Sequence, residues 1–381
     1  MVDPNRTPPT SRRGVLRGLG LALAAPAILR AADALATSGR VNVYAWKGFF
    51  DRNAILSDFK ARTGIQPELS VFGSNEDLEA TLTASKGRGY DIVFPSIDTA
   101  PNYYRSNLLQ PIDERRFQGD RVIPSIYKTS VTLGATNRGR RYLIPFDWGT
   151  EGITYDSARF PYRSGELSYG MLWDPSLGRK AIIRPKSALT GVALHLDATG
   201  QERSNRGMDM YRSEADCRRV MEACLKFMTE RRGAIGARWN DANEAMKGFM
   251  QDGCVIGQTW DTTGVLLNRT VDSRWRYGMP REGGLGWTDT IGIPSGAANL
   301  EQAYALIDFL LEPQTGAAFA ESTGYNSCAA GSEMFLSPGA KASFHSIYPN
   351  PGVIEDIWWW PVQTGFYRAL RGEYEAKVAA L

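Results

Sequence analysis

Short apolar runs of strand length alternate with stretches of helical periodicity along most of this 381-residue chain. Residues 41–46 and 90–94 have the composition of buried strands, whereas residues 53–62 and 300–311 repeat apolar side chains at helical spacing. Ser74 has the position of an N-cap residue ahead of a further helix. Strands that alternate with helices build layered sheets, so the sequence predicts an α/β protein.

The amino terminus has the features of an export signal. Arg12 and Arg13 precede a short apolar run at residues 18–29, and small residues suited to cleavage follow it. An arginine pair ahead of a Gly- and Ala-rich run indicates the bacterial twin-arginine route, with a disordered basic terminus as the alternative. We therefore expect residues 1–36 to be a signal peptide that engages the twin-arginine translocase. The mature chain is then expected in the periplasm of a Gram-negative-type cell.

The charge balance changes once the signal is set aside. Residues 1–36 hold five of the 44 basic residues and two of the 41 acidic residues, so about 345 residues remain with 39 of each. A chain without net charge gives no support for nucleic-acid binding, and none is expected. Its length suggests two domains or lobes. Because no long Gly-, Ser- or Pro-rich linker is present, two lobes joined by several chain crossings are favoured.

Four cysteines, Cys217, Cys224, Cys254 and Cys328, leave the disulfide state open. An oxidising periplasm permits disulfide bonds, but the spacing does not select a pair. Cys217 and Cys224 lie about two turns apart on one predicted helix, which is too far for a bond between them. Packed free thiols are the alternative.

Residues suited to catalysis are scarce. The only histidines are His195 and His345, and neither lies near a nucleophile motif. Because imidazole is the usual general base at neutral pH, a Ser-His-Asp site, a Cys-His site or a multi-His metal centre is not expected. Residues 283–286 are glycine-rich but lack the phosphate-loop pattern. The sequence predicts no enzyme, no metal and no cofactor, with an exported carboxylate-dependent hydrolase as the alternative of another class.

Tryptophan, serine and carboxylate side chains recur where predicted strands or loops end. The stretches with this arrangement are residues 44–46, 95–98, 146–148, 259–261 and 286–289. Ligands of open α/β sheets bind outside the carboxyl ends of strands. There an indole offers a flat apolar wall and a cation-binding face, and an aspartate accepts a charge-assisted hydrogen bond from an ammonium. The pattern predicts a site for an aliphatic amine.

These residues also have structural interpretations. A tryptophan at a strand end commonly packs in a core or between lobes, and Asp261 could serve as a helix N-cap. An anion-binding site would instead place lysine, arginine or helix N-termini at the cleft. Only Lys47 and Arg105 lie near the predicted strand ends, which favours a cationic ligand.

A series of short motifs runs in order from about Val41 to the C-terminus. They include VYAW at residues 43–46, GYDIV at 89–93, PREGG at 280–284 and WTD at 287–289, with further matches at 63–65, 74–76, 109–113, 144–149, 172–175, 309–313 and 323–326. Together these motifs resemble the periplasmic spermidine/putrescine-binding proteins of polyamine ABC importers. The resemblance implies an α/β, bilobal periplasmic-binding-protein type II fold, with two mixed-sheet lobes and a ligand cleft between them.

The resemblance also implies partners and domain limits. We expect a small amine ligand such as putrescine or spermidine, an inner-membrane ABC permease that receives it, and a monomeric receptor. The first lobe is expected to comprise residues 40–144 and 288–333, and the second residues 145–287 and 334–381. Chain crossings between the lobes are expected near residues 144–147, 286–291 and 331–335.

Ligand contacts carry over from the family to six positions, with Asp289 as the expected partner of an ammonium. The other five are Trp46, Ser96, Trp260, Trp287 and Tyr325. Asp98 stands where the family has an aromatic residue, and Asp147, Glu151 and Asp261 are additional carboxylates. The predicted ligand-binding set is therefore Trp46, Ser96, Asp98, Asp147, Trp260, Asp261, Trp287, Asp289 and Tyr325.

Two departures from the family pattern leave the ligand open. Gly48 replaces an acidic residue after the first tryptophan, and the region 187–190 replaces carboxylates expected just after the strand at residues 182–183. A long diamine needs an anion at each end, because a buried unpaired ammonium costs several kcal/mol. The alternatives are a shorter amine, an amino-acid or opine-like conjugate, an aminophosphonate and a thiamine-like ligand.

Overall fold

The computed structural model describes residues 39–117, 119–162 and 165–381. The predicted signal peptide lies outside these ranges. Within them, no helix is both long and apolar enough to cross a membrane.

The strands of the described chain are β1 Arg40–Trp46, β2 Gln66–Phe72, β3 Ile92–Val93, β4 Leu109–Gln110, β5 Thr136–Asn137, β6 Arg140–Arg141, β7 Leu143–Asp156, β8 Ala181–Ile183, β9 Ile235–Arg238, β10 Ile256–Trp260, β11 Trp275–Gly278, β12 Leu285–Pro294, β13 Asn326–Ser327 and β14 Trp358–Trp359. The α-helices are α1 Ile55–Thr63, α2 Asn75–Ser85, α3 Ala100–Arg105, α4 Pro124–Ser130, α5 Pro185–Ala198, α6 Glu214–Arg231, α7 Ala242–Met250, α8 Asp261–Thr270, α9 Leu300–Leu310, α10 Pro313–Thr323, α11 Pro338–Ile347, α12 Pro351–Glu355 and α13 Gly365–Ala379. Short 3₁₀ turns lie at Ile97–Thr99, Gly119–Arg121, Tyr169–Trp173, Pro175–Leu177, Met208–Tyr211, Arg232–Ala234 and Ser332–Phe335, and a π-helical turn lies at Val131–Ala135.

Two long strands, β7 and β12, lie at the centre of the main sheet. The strand order is β2-β1-β3-β12-β7-β10-β8-β9, so early strands lie on one side and later strands on the other. The two central strands run antiparallel to each other, whereas β1 and β2 are parallel, as are β8 and β10. We call the half with β1, β2 and β3 the first lobe and the half with β8, β9 and β10 the second lobe. This arrangement confirms the predicted α/β fold of two mixed-sheet lobes.

Each lobe buries its own apolar core against its strands. In the first lobe, Val43 packs with Phe59 of α1 and Leu306 of α9, and all three side chains are fully buried. In the second lobe, Val192 of α5 and Tyr374 of α13 belong to a separate cluster. Burial of apolar surface is the main favourable term in folding, so two cores stabilise two lobes. β7 joins them, and its 14 residues are all buried.

The predicted local elements agree closely with the observed ones. The helix predicted at residues 53–62 begins at Ile55, because Asn53 lies before it and its Oδ1 accepts a hydrogen bond of 3.2 Å from the Ile55 backbone N–H. Ser74 caps α2 as predicted, since its hydroxyl accepts the backbone N–H of Asp77. Side-chain acceptors of this kind satisfy the free N–H groups of a first helical turn.

All four cysteines are buried as free thiols. Cys217 and Cys224 lie on α6, as predicted, and Cys254 and Cys328 lie in loops that adjoin strands. Of the two alternatives left open by the sequence, packed thiols are the one that the structure shows.

Candidate functional site

The two carboxylates Asp147 and Asp289 face each other where β7 and β12 cross between the lobes. They are directly opposed cross-strand partners, and Ser96 and Ser327 extend the same row at either end. Directly opposed residues of antiparallel strands point to the same face of a sheet. The fold therefore brings two of the predicted aspartates and Ser96 together.

Ser96 holds Asp289 in place. Its hydroxyl donates a hydrogen bond of 2.5 Å to Asp289 Oδ1. Asn75, the first residue of α2, fixes Ser96 in turn: its Nδ2 donates to Ser96 Oγ at 3.0 Å and its Oδ1 accepts the Ser96 backbone N–H at 3.0 Å. The carboxylate position therefore depends on the start of a helix in the first lobe.

Asp147 is fully buried, and neither of its carboxylate oxygens has a hydrogen-bond partner in the described chain. Desolvation, reinforced by the charge of Asp289, raises the pKa of Asp147 well above its ordinary value. Burial likewise raises the pKa of Asp289. A buried pair of carboxylates favours either a shared proton or a bound cation, so the electrostatics of this site favour a cationic ligand.

Trp287 and Tyr325 form an aromatic wall beside this pair. Trp287 lies two residues from Asp289 on β12, on the same face, opposite Gly149 of β7. Its ring meets that of Tyr325 at 88°, with 5.3 Å between centroids. Tyr325 directly precedes β13, on which Ser327 is the cross-strand partner of Asp147, and burial raises the pKa of Tyr325. An indole beside a carboxylate can hold a methylene chain and an ammonium together.

Asp261 has a structural role in this conformation. Its Oδ2 accepts hydrogen bonds from Tyr348 at 2.7 Å and Asn326 at 3.1 Å, and its Oδ1 accepts the Thr262 backbone N–H at 2.9 Å. Burial raises the pKa of Asp261 to about 6, although these hydrogen bonds lower it. It is the first residue of α8 rather than the N-cap, which is Trp260.

Trp260 lies against a charged pair that the sequence-based prediction left out of the site. Its Nε1 donates to Glu151 Oε1 at 3.2 Å, and Arg184 Nη1 donates to the same oxygen at 2.7 Å. The Arg184 guanidinium stacks over Trp260 and Trp239, at 4.9 and 5.0 Å from the ring centroids. Trp260 therefore orients an arginine at the edge of the second lobe.

Asp98 and Lys186 approach each other from the two lobes. Asp98 is 9% exposed and accepts a short hydrogen bond from Gln363 Nε2. The Lys186 ammonium lies 5.6 Å from the ring centroid of Trp360, and its positive charge lowers the pKa of Asp289. The charge of Asp98 raises the pKa of Lys186, while burial lowers it more.

These cations correct the expectation that only Lys47 and Arg105 lie near the site. Lys47 is exposed after β1, and Arg105 donates to Asn102 on its own helix, at 2.5 Å. Arg184 and Lys186 are the cations at the cleft, and they directly follow β8. Ligands of α/β sheets bind beyond the carboxyl ends of strands, and the position of Arg184 and Lys186 after β8 is a sequence signal for their place at the cleft.

Trp46 lies on a strand that pairs with neither β7 nor β12. It ends β1, which is separated from β12 by β3 in the sheet order. Its ring packs on Phe72 of β2 at 4.6 Å between centroids. Of the nine predicted residues, the structure groups Ser96, Asp147, Trp287, Asp289 and Tyr325 most closely, with Asp98, Trp260 and Asp261 around them.

A separate groove of about 560 Å³ lies between α8, β11 and α11. Tyr277, Met279 and Ser343 are among its lining residues, and the lining contains no carboxylate. It therefore lacks an anionic partner for a cationic ligand, and the charged cluster between the lobes is the stronger candidate site.

A family model for bacterial extracellular solute-binding proteins matches residues 54–342. The chain belongs to this family. Among its relatives in the solute-binding family, the Salmonella typhimurium spermidine/putrescine-binding periplasmic protein is 26% identical over 330 residues, or 86% of this chain and 88% of the relative. The Pseudomonas aeruginosa putrescine/agmatine-binding protein is 25% identical over 309 residues, covering 77% and 80%.

A solved structure confirms the fold. The spermidine/putrescine transporter substrate-binding protein PotD of Streptococcus pneumoniae matches with a TM-score of 0.72 at 21% identity, covering 90% of this chain and 99% of that chain. The fold is thus the bilobal periplasmic-binding-protein type that the resemblance implied. The chain is therefore a bacterial extracellular solute-binding protein.

Proposed function

We propose that this solute-binding receptor captures a small amine-bearing solute between its lobes and delivers it to an inner-membrane ABC permease. The observation that carries the proposal is the buried pair Asp147 and Asp289 beside the rings of Trp287 and Tyr325. No lysine or arginine of the described chain forms an ion pair with either carboxylate. A ligand ammonium would supply the missing positive charge and gain a cation–π contact.

The names of the relatives support an amine as the ligand. They are named for binding spermidine and putrescine, or putrescine and agmatine. The carboxylate pair and the aromatic wall give the physical reason why this chain would also bind an ammonium group. An amine that loses its water in the cleft requires an anion within reach, and Asp289 provides one.

We infer a carrier rather than an enzyme. His195 is the histidine nearest to a serine and an acid, but Ser168 Oγ and Glu282 Oε1 both contact the same ring nitrogen, Nδ1, at 3.1 and 3.2 Å. A serine hydrolase needs its nucleophile and its acid on opposite nitrogens of the imidazole. Recovery of unchanged ligand after incubation would support this assignment, and turnover would favour the hydrolase alternative.

We further propose the export route and the lobe limits implied by the sequence. Residues 1–36 would direct export through the twin-arginine translocase, and the mature receptor would act as a monomer. The limits near 144–145 and 287–288 fall within β7 and β12, the strands that join the two lobes, which supports them.

Calorimetric titration of Asp289→Asn tests the amine proposal. The probes are putrescine, spermidine and 4-aminobutanoate, and the one that wild-type protein binds most tightly is then titrated into the variant. Loss of the buried ammonium partner should weaken binding by more than tenfold, because such a loss costs about 2–5 kcal/mol. The matched control is Asp58→Asn, which neutralises an exposed aspartate on α1. Equal affinities for wild type and both variants would remove Asp289 from the site.

A further inference from the structure

The amino-terminal turn of α5 carries an unusual concentration of positive charge and free donors at the cleft. Arg184 precedes this 14-residue helix, and Lys186 and Ser187 lie in its first turn. Accepting the amine site proposed above, we propose that the ligand also bears an anionic group, a carboxylate or phosphonate, which binds at Arg184, Lys186 and Ser187. The preferred solute would then be an ω-amino acid or ω-aminophosphonate rather than a diamine.

The first turn of α5 has backbone N–H groups that are free to donate hydrogen bonds. The first N–H groups of an α-helix have no intrahelical acceptor, and no side chain caps the start of α5. Pro185 has no N–H, which leaves those of Lys186 and Ser187. The Ser187 hydroxyl is fully buried and has no hydrogen-bond partner in the described chain. A buried donor without an acceptor is costly, and an anionic oxygen at the helix start would satisfy it.

Two side-chain cations reinforce this turn. Arg184 donates one N–H to Glu151, and its guanidinium is held between Trp239 and Trp260, so further N–H donors remain on a fixed group. Lys186 forms no ion pair within the described chain, and its ammonium lies 5.6 Å from the ring centroid of Trp360. A half-buried ammonium without a counter-ion gains more from a ligand anion than an exposed one does.

The two subsites lie close enough for one small molecule to join them. Arg184 donates to Glu151, which lies four residues from Asp147 on the same face of β7, about 13 Å along the strand. A diamine with one end at Asp289 would direct its second ammonium toward Lys186 and Arg184. Like charges repel in a cleft of low dielectric, so the same residues that attract an anion disfavour a diamine.

Calorimetry with matched ligands tests this inference. The probes at each chain length are an ω-amino acid (4-aminobutanoate, 5-aminopentanoate or 6-aminohexanoate), the diamine and the monoamine with the same number of carbons. The phosphonate arm is 3-aminopropylphosphonate. We expect at least one zwitterion to bind ten times more tightly than its matched diamine and monoamine.

Variants of Lys186 then locate the anion. Lys186→Ala should abolish the preference for the zwitterion, and Lys186→Glu should reverse it by strengthening diamine binding. The control is Lys180→Ala, which removes an exposed lysine just before β8. Because a misfolded variant would lose binding, a gain of diamine binding by Lys186→Glu cannot result from misfolding.

The outcomes separate the two proposals. If a diamine binds as tightly as the zwitterion and Lys186→Ala leaves their ratio unchanged, the anion subsite is refuted while the amine receptor stands. If the zwitterion and the monoamine bind equally, the anion subsite is likewise refuted. If none of the amines binds, the proposed function itself fails.

Discussion

Asp147 carries a buried carboxylate that accepts no hydrogen bond from the part of the chain that the structure describes. Natural cores rarely tolerate such a group, because desolvating an unpaired charge costs free energy. Groups that destabilise the empty protein often serve in ligand binding. Asp147 has the burial, the neighbour Asp289 and the raised pKa expected of such a group.

Asp147→Asn should therefore weaken amine binding and stabilise the ligand-free protein. In the folded protein the pKa of Asp147 lies well above 3.8, its ordinary value in the unfolded chain. The carboxyl group therefore stays protonated in the folded protein at pH values where the unfolded chain has lost this proton. The stabilisation that results is lost as the pH rises through the folded-state pKa. Relative to wild type, the ligand-free Asn variant should gain roughly 1–3 kcal/mol in free energy of unfolding at pH 8. It should show little gain near pH 4 and bind the amine less tightly.

Urea denaturation across pH 4–8, combined with calorimetry, provides the measurement. A stability difference between variant and wild type that does not change with pH would show that Asp147 does not titrate in this way.

Single residues differ in how far their roles could be predicted. Trp287 and Asp289 were assigned through the resemblance, and both lie at the carboxylate pair. Arg184 and Lys186 were missed, although they directly follow a strand that was recognised. The resemblance implies carboxylates at this point, and the two cations become visible as a site only when α5 and Trp260 are placed beside each other.

At the scale of elements, β7 and β12 bring the site residues together. The sequence predicted a crossing near residues 144–147 but not a 14-residue strand, because Pro145 lacks the N–H that a central strand normally donates. The pairing of β7 with β12 accommodates Pro145 through a β-bulge. The register shifts between Asp289 and Thr290, and Phe146 is the extra residue on β7. This long-range compensation leaves no local pattern in the sequence.

A substitution at Gly149 tests whether close packing of the Trp287 indole against β7 supports the site. A Cβ at this position would collide with the Trp287 indole, which lies against β7 there. Gly149→Ala should displace the ring, weaken amine binding several-fold and lower stability by about 1–3 kcal/mol through overpacking. The control is Gly233→Ala, where a Cβ would meet open space. Calorimetry and denaturation that found the two variants alike would show that Trp287 does not depend on this contact.

At the scale of the whole molecule, the site is shielded from solvent. Asp289 is 8% exposed and Asp98 is 9% exposed, so little of either side chain meets solvent in this conformation. β7 and β12 connect the lobes, and hinge motion about such crossings is the expected mode of opening. A ligand that binds the closed form will reduce the time spent open.

Amide hydrogen exchange should report this closure. Peptides that cover residues 184–187 and 286–290 should exchange more slowly in the presence of saturating ligand, because opening becomes rarer. Peptides from α9, in the core of the first lobe, should change little. Equal exchange with and without ligand at the cleft peptides would contradict closure of the lobes over the site.

A crystal structure of the receptor soaked with its tightest-binding amine offers the most direct test. We predict a ligand nitrogen within about 2.7–3.2 Å of an Asp289 oxygen, with Asp147 behind it and the Trp287 indole alongside. Ligand density in the groove lined by Tyr277 and Met279, or a carboxylate at Asp289 in place of the amine, would contradict the account.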